Sequence, residues 1–124
     1  MKKNSNIYVW SYLEEYNQYK KDILSIVNRV FKSGNLILGN ELENFEKNFA
    51  RYIGKKYAIG VNSGTDAIMI GLKSLGVKAG DEIITTSNTA VPTVSAITSV
   101  GAKPVFVDIN EKDFLMDLKK LKKK

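Results

Sequence analysis

Apolar positions recur along the chain with two different periods. From Tyr12 to Lys32, Leu13, Tyr16, Ile23, Leu24, Ile26, Val27, Val30 and Phe31 fall largely on one stripe at helical spacing. That spacing predicts an amphipathic helix. Ser33-Gly34-Asn35 ends it, with Gly34 suited to a left-handed C′ position. Leu36-Ile37-Leu38-Gly39 is a short apolar loop that needs cover from its own chain or a partner subunit. A second helix is predicted from Glu41 to Tyr52, with Asn40 as N-cap and Gly54 closing it. Leu42, Phe45, Phe49 and Tyr52 form its buried stripe, and Glu43, Glu46, Lys47 and Arg51 face water. Residues 1–11 read as an irregular entry in which Ile7, Tyr8, Val9 and Trp10 form an apolar cluster packed on the body.

Beyond Gly54 the pattern changes to short apolar runs alternating with helical ones. Lys56–Val61, Glu82–Thr86 and Pro104–Asp108 read as strands, and Thr65–Leu75 and Val91–Val100 as helices. Pro92 is tolerated in the first turn of the latter. Asn110–Phe114 is a loop, and Asp117 caps a final helix from Leu118. Two leading helices therefore precede a β-α-β-α-β run. Short turns between alternating strands and helices imply an α/β fold with a parallel sheet. Three segments follow: an N-terminal segment 1–11, leading helices 12–53, and the start of the sheet 54–124.

In such sheets ligands sit beyond the carboxyl ends of the strands. Two polar turns belong at that edge, Asn62-Ser63-Gly64-Thr65-Asp66 and Ser87-Asn88-Thr89. The first has two readings. Ser63-x-x-Asp66 fits a capping box, with nothing bound. Alternatively, Gly64 admits an anion to the free N–H groups at the positive end of the helix, and Thr65 adds a hydroxyl. The turn is neither a Walker loop nor a GxGxxG fingerprint. Asn88 and Thr89 read equally well as caps of the next helix, Asp108 as a strand end, and Lys55 and Lys56 as solvated.

Composition narrows the chemistry. The 124 residues suit one domain able to bury roughly two-thirds of its unfolded surface, and 44% of them are hydrophobic, which argues against disorder. Cysteine and histidine are both absent. That excludes disulfides, thiolate metal sites and Ser-His or Cys-His catalytic pairs within these residues. No apolar run is long enough to span a bilayer, and no secretory signal is visible, so a cytoplasmic location is expected. The net charge is +6, but Lys119–Lys124 holds five lysines; removing them from 19 basic residues leaves 14 against 13 acidic ones. The basic character belongs to a tail, not a face, so nucleic acid is not an expected partner.

Several segments together resemble the DegT/DnrJ/EryC1/StrS sugar aminotransferases, which are fold-type-I pyridoxal 5′-phosphate (PLP) enzymes. The matching stretches are Ser33–Gly39, Phe45-Glu46, Gly60–Ala67, Gly80–Thr85, Ser87-Asn88-Thr89 and Gly101–Asp108. The resemblance runs from about Tyr8 onward and corresponds to part of the family's large domain. It implies transfer of an amino group, with glutamate as donor, to the keto group of a nucleotide-linked deoxysugar in surface-polysaccharide or natural-product biosynthesis. It implies a homodimer, with Ser33–Gly39 near an active site at the subunit interface. Gly64, Thr65 and Asp66 would hold the PLP phosphate, with Asn88 as a further cofactor contact. The position of Ala90 usually carries an aromatic ring stacked on the pyridine; alanine has no π-face. The Schiff-base lysine and the aspartate paired with the pyridine nitrogen are expected beyond residue 124. No catalytic residue is therefore expected within this stretch, no metal is implied, and the 124 residues alone should be inactive. The competing readings are a non-catalytic interaction module and another kind of phosphate-binding α/β domain.

Overall fold

The structure, a computed structural model, describes residues 8–122. Ile7 of the apolar cluster, the six residues before it, and Lys123 and Lys124 of the basic tail lie outside the described residues. The chain divides into two compact units, with the boundary between Gly60 and Val61.

The first unit contains helices α1 (Leu13–Ser33) and α2 (Asn40–Tyr52). Glu14 and Glu15 in the first turn of α1 and Lys32 in its last complement the helix dipole. Gly34 ends it with φ of 69°, its N–H donating to the Phe31 carbonyl. α2 starts one residue earlier than its sequence pattern indicates. Gly39, not Asn40, is the N-cap; its carbonyl accepts the Leu42 and Glu43 N–H groups, and no side chain caps the helix. A Cβ on Gly39 would lie 3.1 Å from the Asn35 carbonyl oxygen, so the loop closes on a residue without one.

The expected apolar burial is not found here. No residue of α1 is buried, and α2 buries only Ala50. Phe45, Phe49 and Tyr52 are exposed and Leu42 is half-buried. Tyr8, Val9 and Trp10 are exposed too; Trp10 stacks on Tyr12 at 6.0 Å. Amphipathic spacing fixes which face is apolar, but another surface must bury it. The predicted strand Lys56–Val61 is likewise absent, since no strand among the described residues pairs with it.

The second unit contains α3 (Gly64–Ser74), β1 (Glu82–Thr86), α4 (Val91–Ser99), β2 (Lys103–Val107) and α5 (Leu118–Leu121). β1 and β2 pair in parallel from Glu82 with Lys103 to Thr86 with Val107. α4 is the crossover that a parallel pair requires. It packs on β2 on one side and α3 on another. Ala96, Ile97, Ala102 and Val107 are the buried apolar residues among those described in this unit, and Thr85 is a buried polar one. Gly101 turns the chain into β2 with φ of 80°. A Cβ there would meet the Ala79 Cβ at 2.9 Å, while the Gly101 carbonyl accepts the Gly80 N–H. The sheet has two strands instead of the three predicted, because the first never forms.

After β2 the chain folds back on itself. Ile109 and Met116 form an antiparallel bridge, and the Asp117 carboxylate caps α5 by accepting from the Lys119 and Lys120 N–H groups. Lys120 Nζ donates to Asp108 Oδ2 at 2.8 Å.

Truncating Ile97 to alanine should destabilise the second unit by about 2–5 kcal/mol, read from the midpoint of urea unfolding, because the cavity opens against β2. The Lys120 hydrogen bond, helped by the Ile109 N–H and the lysine's charge, holds Asp108 below its usual 3.8. The same bond raises Lys120 above 10.5. The carboxylate's contribution is thus complete above pH 3.8 and lost as pH falls through the lowered value. The ammonium's contribution is complete below pH 10.5 and lost as pH rises through the raised one. Lys120→Met should return Asp108 toward 3.8, measured by NMR titration of its side-chain carboxyl carbon.

Candidate functional site: the first turn of α3

α3 begins on a closed hydrogen-bond pair. Ser63 has extended backbone, and its Oγ accepts the Asp66 N–H at 3.1 Å. The same hydroxyl donates to Asp66 Oδ2 at 2.9 Å. The cap therefore forms as the Ser-x-x-Asp spacing predicts, with one difference. The acid takes the cap residue's hydroxyl instead of reaching the cap's backbone N–H. Aspartate is one methylene shorter than the glutamate usual at that position. The Ser63 carbonyl accepts the Ala67 N–H at 3.0 Å.

This division leaves distinct donors over. The Gly64 and Thr65 N–H groups have no intrahelical partner by position and make no hydrogen bond among the described residues. The place a Cβ would take on Gly64 has no atom within 4 Å. The Thr65 hydroxyl likewise makes no hydrogen bond among the described residues. Two N–H groups and a hydroxyl thus stand without hydrogen-bond partners at the positive end of an 11-residue helix, and the Cβ side of Gly64 is open. That donor set fits a phosphate group. Asp66 differs from its two neighbours, because its N–H and one carboxylate oxygen are engaged by Ser63.

The turn after β1 carries Asn88 and Ala90. Neither Asn88 nor Thr89 caps α4; Ala90 holds the N-cap position with extended backbone and no side-chain bond. Thr89 instead places its Oγ1 2.9 Å from that of Thr93, one helical turn on. Thr93 was not singled out in the sequence, although Thr-x-x-x-Thr across a helix start was the available signal. Thr86 Oγ1 donates to the Asn88 carbonyl at 3.4 Å, and the Asn88 side chain is exposed.

Because β1 and β2 are parallel, the Asn88 turn and Asp108 lie at the same, carboxyl end of the sheet. The Asn62–Asp66 turn was expected there through a preceding strand, and that strand is absent. It is joined to the same unit instead by the packing of α3 on α4. No group of three acidic, cysteine or histidine residues able to hold a metal occurs among the described residues, and no helix among them is long and apolar enough to cross a membrane.

Comparison with known proteins agrees with this geometry. The profile of the DegT/DnrJ/EryC1/StrS aminotransferase family matches residues 17–124. A dTDP-3-amino-3,4,6-trideoxy-alpha-D-glucose transaminase of Micromonospora megalomicea subsp. nigra is 54% identical over 110 residues, 89% of this chain and 29% of that protein. A dTDP-3-amino-3,6-dideoxy-alpha-D-galactopyranose transaminase of Aneurinibacillus thermoaerophilus is 40% identical over 86% of this chain and 30% of its own length. Among solved structures, S. venezuelae DesV in complex with a ketimine intermediate superposes with a TM-score of 0.87 at 36% identity, covering 91% of this chain and 30% of that one. Bacillus subtilis NtdA with bound cofactor PMP gives 0.84 at 38% identity, covering 98% and 29%. The chain thus spans about 30% of the length of these relatives. The matched region takes in α1 from residue 17 onward, all of α2 and the whole βαβ unit. These enzymes are PLP-dependent, and the α/β arrangement is that of fold type I. The chain belongs to the DegT/DnrJ/EryC1/StrS aminotransferase family.

Proposed function

We propose that this chain is the phosphate-holding portion of an enzyme that moves an amino group from glutamate to the keto group of a nucleotide-linked deoxysugar. The observation that carries the reading is the first turn of α3, with its unspent donors at Gly64 and Thr65 inside the segment matched to the family. PLP, when bound, supplies the electron sink that amino transfer needs. The residues of this chain bind and orient it. Gly64 and Thr65 donate their N–H groups, and Thr65 its hydroxyl, to phosphate oxygens. Ser63 keeps Asp66 engaged, so a carboxylate beside the anion site is held by a donor. Ala90 offers a methyl group in place of a stacking ring, and Asn88 offers an amide at the carboxyl end of β1.

The relatives support this choice of donor and substrate. A Bacillus subtilis relative 42% identical over 105 residues is a 3-oxo-glucose-6-phosphate:glutamate aminotransferase. Others carry dTDP-linked amino sugars in their names. The apolar stripe of α1, with no buried residue, supports a subunit contact, and we take the active form to be a homodimer. The same stripe would serve a non-catalytic docking module, which the turnover measurement below separates.

PLP should bind the purified 124-residue chain and be displaced by inorganic phosphate in equilibrium dialysis. Thr65→Val should weaken it by roughly ten- to a hundredfold, the worth of one hydrogen bond to a charged group. Equal affinity of variant and parent, or no preference for PLP over nucleotides, would overturn the cradle. The same chain should convert no glutamate to 2-oxoglutarate in a coupled assay. Turnover would show that a lysine of these residues serves as the Schiff base.

A further inference from the structure

Asp66 serves two opposed demands in the first turn of α3. Its carboxylate suits the helix, because a negative charge is favoured at the positive end of the helix dipole. The same place sets it against a phosphate, which is drawn to that end for the same reason. Gly64 and Thr65, whose donors are unspent, stand two places and one place before it. No lysine or arginine forms an ion pair with Asp66 among the described residues, so no cation there offsets its charge. Among them, the one hydrogen bond its carboxylate accepts comes from the Ser63 hydroxyl at 2.9 Å. Ser63 Oγ in turn accepts the Asp66 N–H at 3.1 Å. A serine hydroxyl has a single proton, and Ser63 commits it to Asp66 Oδ2. The carboxylate is thereby anchored on the cap residue, and neither the Gly64 nor the Thr65 N–H is bonded to it. All four residues are consecutive and belong to one compact unit.

We propose that the Asp66 carboxylate is an internal competitor for the phosphate, and that Ser63 is the positioning residue that holds it off the donors of Gly64 and Thr65. This rests on the cradle reading given above. Asp66 then supports the helix and opposes the ligand, instead of holding the ligand with its side chain. Released from the hydroxyl, the carboxylate is drawn to the same N–H groups that the phosphate needs. An incoming anion must then displace it as well as bear its charge. Stability and binding therefore respond to this carboxylate with opposite signs, which a purely structural role does not allow.

The experiment measures PLP affinity of the full 124-residue chain by equilibrium dialysis at low and high salt, with inorganic phosphate as competitor, and the urea midpoint of each variant. Parent, Asp66→Asn, Ser63→Ala, the double variant and Thr65→Val are compared. Asparagine removes the charge and keeps an acceptor for the Ser63 hydroxyl. Asp66→Asn should tighten PLP binding roughly twofold to fivefold at low salt, and less at high salt, while its urea midpoint does not rise. Ser63→Ala should weaken binding roughly threefold to tenfold. Adding Asp66→Asn to it should gain more affinity than the same change gains in the parent. If Ser63→Ala fails to fold, Ser63→Gly decides, since glycine lacks the hydroxyl yet suits the cap position. Unchanged or weaker binding by Asp66→Asn, beside a weakened Thr65→Val, overturns the competitor. Equal gains from Asp66→Asn in both backgrounds overturn the role of Ser63. A parent chain that takes up no PLP, or a Thr65→Val chain that binds as the parent does, overturns the cradle and this inference with it.

Discussion

The packing of α4 against β2 is what the second unit depends on. Ile97, Ala96, Val107 and Ala102 are all essentially closed to solvent. The Ala102 N–H donates to the Ile97 carbonyl, tying the end of α4 to the residue before β2. Since α4 also links β1 to β2, its seat on the sheet goes with their parallel register. That register in turn puts the Asn88 turn and Asp108 at one sheet end. α3 joins through its contact with α4, bringing the Asn62–Asp66 turn into the same body. A handful of small apolar side chains thus underlies an arrangement of polar groups that are themselves nearly all exposed.

Where sequence pattern and structure agree, the determinant is local. The left-handed Gly34, the Ser63 and Asp117 caps and β1 all follow from residues within a few positions of one another. Where they part, the determinant is distant. The Tyr57–Val61 run has the side chains of a strand, but a strand needs a neighbour, and β1 pairs only with β2. Phe45, Phe49 and Tyr52 have the spacing of a buried stripe and stay in solvent for want of an opposing surface. In the site, the unspent donors of Gly64 and Thr65 were legible, because helix geometry alone leaves them over. The Thr89–Thr93 hydroxyl pair was not, since Thr89 read as a cap of α4 and Ala90 holds that place instead.

Ser63 shows how one hydroxyl can separate two duties at a helix start. It accepts from the Asp66 backbone and donates to the Asp66 side chain, leaving only Gly64 and Thr65 to face an anion. Their donors are two N–H groups and a hydroxyl, none of which titrates in the ordinary pH range. Phosphate binding by such a turn is governed by the ionisation of the phosphate itself, not by that of the protein. The contrast with the Asp108–Lys120 pair is clear, since both members of that pair carry charge and both are solvent-exposed.

The two-stranded sheet has a consequence for the handling of the molecule. Each strand has one edge unpaired among the described residues, and those edges carry Ile83-Ile84-Thr85-Thr86 and Val105-Phe106-Val107. Residues of this kind favour pleated pairing, and neither strand is blunted by a bulge. Pro104, near the start of β2, has no N–H to offer, but the three residues after it do. In concentrated solution such edges are templates for one another. An edge free to take a further strand is also an edge free to pair with a second copy of itself.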